Sequence, residues 1–330
     1  YFLVQLYRLN GTGDTAVDKS AQLDRAIGKD EKHASDRNAE GKETPSVTEK
    51  PPENWNIEKS LDPAHRHNQT AWDRMASREH PLTQPATAEE LQNPLAVVDP
   101  AGWLPKSIQG WKVLCLAAGG GRQSALYAAA GAEVTVVDLS SGMLELDHRA
   151  AAKHGFAMRL VQTSMDDLAM LAEAYYDLVI HPVSTCYLRE IVPVYQQVAR
   201  VLRGDGLYIC QHKTPTNLQA TLDAPGGFYR LEHAYYDKSP VSPPSAANRL
   251  REPGTMEFVH RWEEILGGLC RSGFVIEDVV EPFHARPEEM PGQFGHRCHF
   301  IAPYIRIKAR RCSVRKAITA AQRPSTLLLP

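Results

Sequence analysis

This 330-residue chain has no excess of charge of either sign: 37 basic and 39 acidic side chains leave a formal charge of −2. A balance of that kind gives no global signal for nucleic acid or for a membrane surface, both of which are met by strongly basic fields. No uncharged stretch reaches the roughly 18 apolar residues that cross a bilayer. The six cysteines, at 115, 186, 210, 270, 298 and 312, are scattered with no CxxC pair. Their scatter argues against a disulfide scaffold or a Cys-rich zinc module and suits a reducing compartment. The opening YFLVQLY is shorter than the core of a secretory leader with its flanks, so a cytoplasmic protein is expected. What is present is the make-up of a chain with a proper core, 43% hydrophobic and 23% charged.

That core is unevenly distributed. Residues 11–50 carry 16 charged side chains and only four large apolar ones, Val17, Leu23, Ile27 and Val47. Such a segment cannot bury enough surface to offset its conformational entropy, so residues 1–54 are expected to be disordered. From Arg306 onward there are seven basic residues and no acid, which marks 311–330 as a basic tail. The folded body is expected over 55–310.

Within it, short apolar runs alternate with helix formers. KVLCLA (112–117), EVTVVD (133–138), FAMRLVQ (156–162), YDLVIHP (176–182) and LYICQHK (207–213) read as buried strands. RQSALYAAA (122–130), SGMLELDHRAAAKH (141–154) and REIVPVYQQVARVLRGDG (189–206) read as the helices between them, with Pro193 tolerable only near a first turn. The alternation predicts an α/β, doubly wound, mostly parallel sheet with helices on both faces, whose ligands lie at the carboxyl ends of the strands. Residues 214–256, rich in proline and tyrosine, break the pattern and are read as a lid or substrate-binding insertion. RWEEILGGLCRSG (261–273) reads as an amphipathic helix, and FVIEDVVEP (274–282) and YIRIKAR (304–310) as two last strands.

The strongest local signal is LAAGGG (116–121), directly after one strand and before a helix. Glycines there allow a tight turn and close approach of a ligand. Asp138 closes the second strand 19 residues after Gly119, and its ionised carboxylate can accept both hydroxyls of a ribose. An adenosine-bearing cofactor is implied. A nicotinamide or flavin dinucleotide needs G-x-G-x-x-G/A, which Gly119, Gly121 and Ser124 match only in part.

Residues 113–206 resemble class I S-adenosylmethionine-dependent methyltransferases of the "methyltransferase type 11" kind. VLCLAAGGG is similar to that family's first motif, with Ala117 where a glycine is usual. VVDLSSGML resembles the ribose-binding turn, YDLVIHPVSTCYL the fourth motif, and VARVLRGDGLYI the block leading into strand five. QTSMDDL (162–168) carries Ser164 where an acid is common, and no Asp-Pro-Pro-Tyr sequence occurs in the fourth motif. The resemblance implies a Rossmann-like seven-stranded sheet with its last strand antiparallel, S-adenosyl-L-methionine as cofactor, and a small-molecule methyl acceptor rather than nucleic acid. It implies cofactor contacts from Ala117, Ala118, Gly119, Gly121, Asp138, Leu139, Met143, Ser164, Met165, His181, Pro182 and Tyr187. A side chain at Gly119 is expected to intrude on the cofactor's carboxypropyl tail.

His181 and His212, near the ends of strands four and five, are the candidates for a catalytic base. HNQTAWDRMA (67–76) is helical in pattern and similar to a lid helix, expected over 60–80. Trp72, Tyr229 and Tyr236 are expected to line a largely apolar acceptor pocket. GHRCHF (295–300) matches no zinc-finger spacing and is read as packing, not metal binding. A nicotinamide-dependent oxidoreductase and a non-catalytic cofactor-binding protein are the alternative functions. The acceptor atom and the oligomeric state are not written in the sequence.

Overall fold

A computed structural model of the chain describes residues 62–243 and 251–312. The head expected to be disordered (1–54), residues 244–250 of the insertion and the basic tail beyond 312 lie outside the described residues. Helix α1 (Pro63–Ser77) is followed by two short helices, α2 (Ala88–Gln92) and α3 (Pro94–Val98). Then come β1 (Lys112–Leu116), α4 (Gln123–Ala129), β2 (Glu133–Asp138), α5 (Ser141–His154), β3 (Met158–Gln162), β4 (Tyr176–His181) and α6 (Val192–Val201). The remainder is β5 (Leu202–Lys213), α7 (Pro215–Gln219), α8 (Gly268–Arg271), β6 (Phe274–Val280), α9 (Phe294–Cys298) and β7 (Tyr304–Arg311).

The seven strands form one sheet in the order β3-β2-β1-β4-β5-β7-β6, with β7 antiparallel to both its neighbours. This is the α/β Rossmann-like arrangement expected from the alternation of runs. Successive strand residues point to opposite faces, so each strand feeds two cores. Leu114, Leu116, Val179, Tyr208 and Ile307 pack on one face against Val194, Tyr195 and Val198 of α6. Val113, Cys115, Val136, Leu178 and Ile180 pack on the other against Leu126 and Tyr127 of α4 and Leu144 and Ala150 of α5. Full burial of each such side chain contributes about 1.5–3 kcal/mol.

Local rules set the element ends. Asp62 accepts from the backbone N–H of Ala64 at 2.7 Å and Pro63 opens α1; Ser140 caps α5 and Gly155, in the left-handed region, ends it. Pro193 sits in the first turn of α6, where its missing N–H costs nothing.

Two elements differ from the sequence reading. The helix expected to run to residue 206 stops at Val201, and Leu202 already pairs with Tyr176. Arg203–Gly206 then bulge out around Asp205, which has φ +62, before β5 resumes its register at Leu207. The helix expected over 261–273 opens with a wide π-type turn (Glu263–Gly267) before α8.

Candidate functional site

The parallel register brings the carboxyl ends of β1, β2 and β4 to one edge. Leu116 lies opposite Val137, and the backbone N–H of Ala117 donates to the Val137 carbonyl at 2.7 Å. Ala117 therefore turns beside Asp138, with φ +46. An alanine in the left-handed region carries about 1–2 kcal/mol of strain that glycine would not. Ala117→Gly is expected to raise the melting temperature by a few degrees, the relief being partly offset by the freer unfolded chain. Thermal melts of the two proteins check this, and an unchanged or lower melting temperature contradicts it.

The glycine turn is held by carboxylates. Asp138 accepts from Gly119 N–H and from Ser140 N–H, each at 2.9 Å. Each of its oxygens keeps capacity for one more donor, so two hydroxyls can still be received. Asp147, fully buried on α5, accepts from Gly120 N–H at 2.9 Å, from Gly121 N–H at 3.1 Å and from the Ser124 hydroxyl. Asp73 on α1 accepts from the Ser140 hydroxyl at 2.5 Å and from Gly142 N–H at 2.9 Å. The turn lies close to the protein itself. A Cβ at Gly119 would sit 2.8 Å from Met143 Cβ and 2.9 Å from Asp138 Oδ2, so a side chain there collides with the chain before it reaches a ligand. At Gly121, with φ +73, it would meet the Leu146 carbonyl at 2.8 Å.

Burial pushes the Asp138 carboxyl up to about 6, against the pull of its backbone hydrogen bonds, and Asp73 nearby adds to the rise. Burial likewise pushes Asp147 up to about 7, against the Ser124 and glycine hydrogen bonds, with Asp138 adding to it. Both values lie above those of the unfolded chain, so these two carboxyls contribute stability that grows as pH falls from about 7 toward 4. A ligand that gives two hydroxyls to Asp138 needs the ionised form, which gives the opposite sign for its affinity. Binding of such a ligand at pH 5 is expected to be about tenfold weaker than at pH 7.5, because only about a tenth of Asp138 is then ionised. Calorimetry at the two pH values checks this, and equal affinity contradicts it.

α1 crosses the same edge. Asn68 donates to the carbonyls of Tyr187 and Met256, each at 3.0 Å, and accepts from Met256 N–H at 2.7 Å. Trp72 stands edge-on to the Tyr187 ring at 5.9 Å, and His65 lies 3.6 Å from Asp166 beyond β3. The Tyr187 hydroxyl is buried without a partner. Of the remaining residues singled out in the sequence, Ala118 and Met165 are buried beside the turn and β3. Leu139 accepts from Gln162 through its carbonyl at 3.2 Å, Ser164 donates to Asp166, and Pro182 accepts from the Ser184 hydroxyl at 3.1 Å.

His181 and His212 are both 1% exposed. His181 Nδ1 meets the Tyr208 hydroxyl at 2.7 Å and Nε2 meets Ser184 Oγ at 2.8 Å. Both ring nitrogens of His181 are thus engaged by buried hydroxyls, which leaves neither of them free for a substrate. Burial pushes its imidazolium down to about 3. His212 is equally engaged, Nδ1 with Thr185 Oγ1 at 2.8 Å and Nε2 with Cys210 Sγ at 3.1 Å, and burial holds it neutral. Neither is placed as a free base.

The three aromatics expected in one pocket are not brought together. Tyr229 bonds through its hydroxyl to His296 Nδ1 at 2.9 Å and packs on Phe300. Tyr236 is 77% exposed, stacked edge-on with Tyr235 and lying under Arg261. Only Trp72 faces Tyr187. The GHRCHF segment contains the short helix α9, and among the described residues no cluster of three or more His, Cys, Asp or Glu is placed to hold a metal. Nor, among the described residues, is any helix long and apolar enough to cross a membrane.

The sequence reading missed Asp73, Asn68 and Asp147. Only Asp147 had a local signal: it is an acid on the α5 stripe that also buries Met143, Leu144, Ala150 and Ala151.

Residues 114–210 match the family described as a methyltransferase domain. The chain is 30% identical over 229 residues to the "Uncharacterized methyltransferase YbaJ" of Bacillus subtilis (strain 168), an alignment spanning 65% of this chain and 89% of that protein. Among solved structures it resembles an S-adenosylmethionine-dependent methyltransferase from Mesorhizobium loti, with TM-score 0.52, 21% identity, and 67% of this chain and 100% of that one covered. It also resembles the geranyl diphosphate C-methyltransferase of Streptomyces coelicolor A3(2), with TM-score 0.50, 14% identity, and 76% and 99% covered. The two structural likenesses speak for the fold.

Proposed function

We propose, for a chain that belongs to the class I S-adenosylmethionine-dependent methyltransferases, that it methylates a small molecule held where β4 and β5 end. The enzyme uses S-adenosylmethionine as methyl donor. One observation carries the reading of the site: a glycine turn after β1 gripped at 2.9 Å by the Asp138 carboxylate, which retains capacity for two more donors.

The residues present fit the cofactor. Asp138 would receive the ribose hydroxyls, the backbone of Ala117–Gly121 would lie along the amino-acid tail, and Leu139, Met143, Ser164 and Met165 would flank the adenine. The partnerless Tyr187 hydroxyl and Trp72 would close the site from the α1 side, α1 acting as its lid. The cofactor supplies an electrophilic methyl on a sulfonium, whose departure as a neutral thioether needs no acid. What remains for the protein is orientation and exclusion of water, effects that contribute several kcal/mol when the reacting atoms stand about 3–3.5 Å apart. His181 and His212 serve that end as neutral, fully bonded walls beneath the loop after β4. An acceptor with its own lone pair suits such a site, because neither of these histidines is free to act as a base.

Incubation with S-adenosylmethionine and a panel of small metabolites, read as S-adenosylhomocysteine formed, tests the proposal. Turnover with at least one small molecule and none with RNA or DNA is expected. Turnover with nucleic acid alone overturns it.

A further inference from the structure

The geometry points to an anion-binding subsite at Arg251, so that the acceptor is a small carboxylate- or phosphate-bearing molecule with an apolar body. This inference rests on the methyltransferase reading above and names the acceptor's chemistry.

A cavity of about 250 Å³ opens beyond α7, and its walls include Leu218, Thr221, His233, Val241, Ser242 and Arg251. Arg251 is 7% exposed. Its Nε donates to Glu257 and its Nη1 to the Ser242 carbonyl at 2.6 Å, while Nη2 has no partner. A guanidinium nitrogen buried and left unpaired costs the full desolvation of its N–H groups.

The charge around it is unbalanced. Lys213, at the end of β5, is buried and pairs with both Glu252 and Glu257, and Glu257 is shared with Arg251. Arg297 is also buried, and its four hydrogen bonds all go to neutral oxygens: Thr221 O at 3.0 Å, Asn217 Oδ1, Asn217 O at 2.8 Å and Ala220 O at 3.1 Å. Thr221 and Ala220, whose carbonyls Arg297 holds, line the same cavity as Arg251. Three buried cations thus stand against two carboxylates at one end of the sheet. Buried charge of this kind calls for a counter-charge, and an anion at Nη2 would supply it through a charge-assisted hydrogen bond. The cavity wall also carries two acids, Asp223 and Glu232; both are exposed to solvent, and Glu232 pairs with Arg230 at 3.6 Å.

The cavity adjoins the transfer site. Two of its walls, Leu218 and Val241, belong to the apolar cluster of Cys186, Tyr187 and Val259, on which Trp72 packs. Glu257, the partner of Arg251, also receives the Cys186 thiol at 3.7 Å. An acceptor anchored by its anionic end at Arg251 would run its apolar body along that cluster toward Tyr187. At roughly 30 Å³ per water, the cavity holds a head group and a few carbons.

Calorimetric titration of the S-adenosylhomocysteine complex with inorganic phosphate, and separately with hexanoate, tests this. Two variants are compared with the parent. Arg251→Lys keeps a cation for Glu257 and loses the second terminal nitrogen. Ser242→Trp fills the cavity while retaining the carbonyl that Arg251 uses. At least one probe is expected to bind the parent and to weaken tenfold or more in both variants, with S-adenosylhomocysteine affinity held within twofold. Phosphate alone assigns a phosphate ester, and hexanoate alone a carboxylic acid. If Arg251→Lys does not fold, Ser242→Trp decides. Neither probe binding the parent, or equal binding in the variants, overturns the inference. Failure of S-adenosylhomocysteine to bind the parent overturns the methyltransferase site instead, whatever the anions do.

Discussion

Asp138→Ala is expected to weaken S-adenosylhomocysteine binding by at least about 100-fold. Two ribose hydroxyls donating to an ionised carboxylate contribute about 1.5–3 kcal/mol each, and even the lower figures combined reach that factor. The substitution also removes the acceptor for Gly119 N–H and Ser140 N–H, which loosens the turn proposed to lie along the cofactor. Asp138→Asn keeps an acceptor oxygen and should fall between the two. Calorimetry with S-adenosylhomocysteine measures all three proteins. An alanine variant that binds as the parent does sinks the ribose assignment.

The second large effect lies beneath the turn. Asp147→Leu leaves Gly120 N–H, Gly121 N–H and the Ser124 hydroxyl without their acceptor in a fully buried place. Each stranded group costs about 1–3 kcal/mol, so a loss of roughly 3–9 kcal/mol and a fall in melting temperature on the order of 10 °C or more are expected. Asp147→Asn is the control. Because burial pushes the Asp147 carboxyl up to about 7, a neutral group at this place already resembles its protonated form. Its amide nitrogen nevertheless faces one of the two glycine N–H donors, so near pH 6 the asparagine protein should lose about 1–3 kcal/mol, less than the leucine protein. Thermal melts of both variants decide it: a leucine variant as stable as the parent would show that these hydrogen bonds do not hold the turn.

The parts of the fold that were legible in the sequence are those set by local pattern. β1, β2 and β4 are apolar runs bounded by turn residues, and their register follows once crossover helices make them parallel. The glycine turn and Asp138 were legible because a single βαβ unit places them together. The pocket walls were not, because they depend on pairings between distant residues. Lys213 meets Glu252 and Glu257 across 39 and 44 residues, and Asn68 reaches Met256 across 188. Aromatic content alone pointed to Tyr229 and Tyr236. Tyr229 is instead drawn to His296 and Phe300, and Tyr236 to Tyr235 and the Arg261 guanidinium. The histidines were found by position, but their roles turned on buried hydroxyl partners, Tyr208, Ser184 and Thr185, that no spacing reveals.

The most direct measurement is a crystal structure of the protein grown with S-adenosylhomocysteine. The account predicts both ribose hydroxyls within 2.7–3.2 Å of the Asp138 carboxylate, the amino-acid tail along Ala117–Gly121 and the thioether facing Tyr187. A ribose that makes no hydrogen bond to Asp138, or a ligand bound away from the glycine turn, would contradict it.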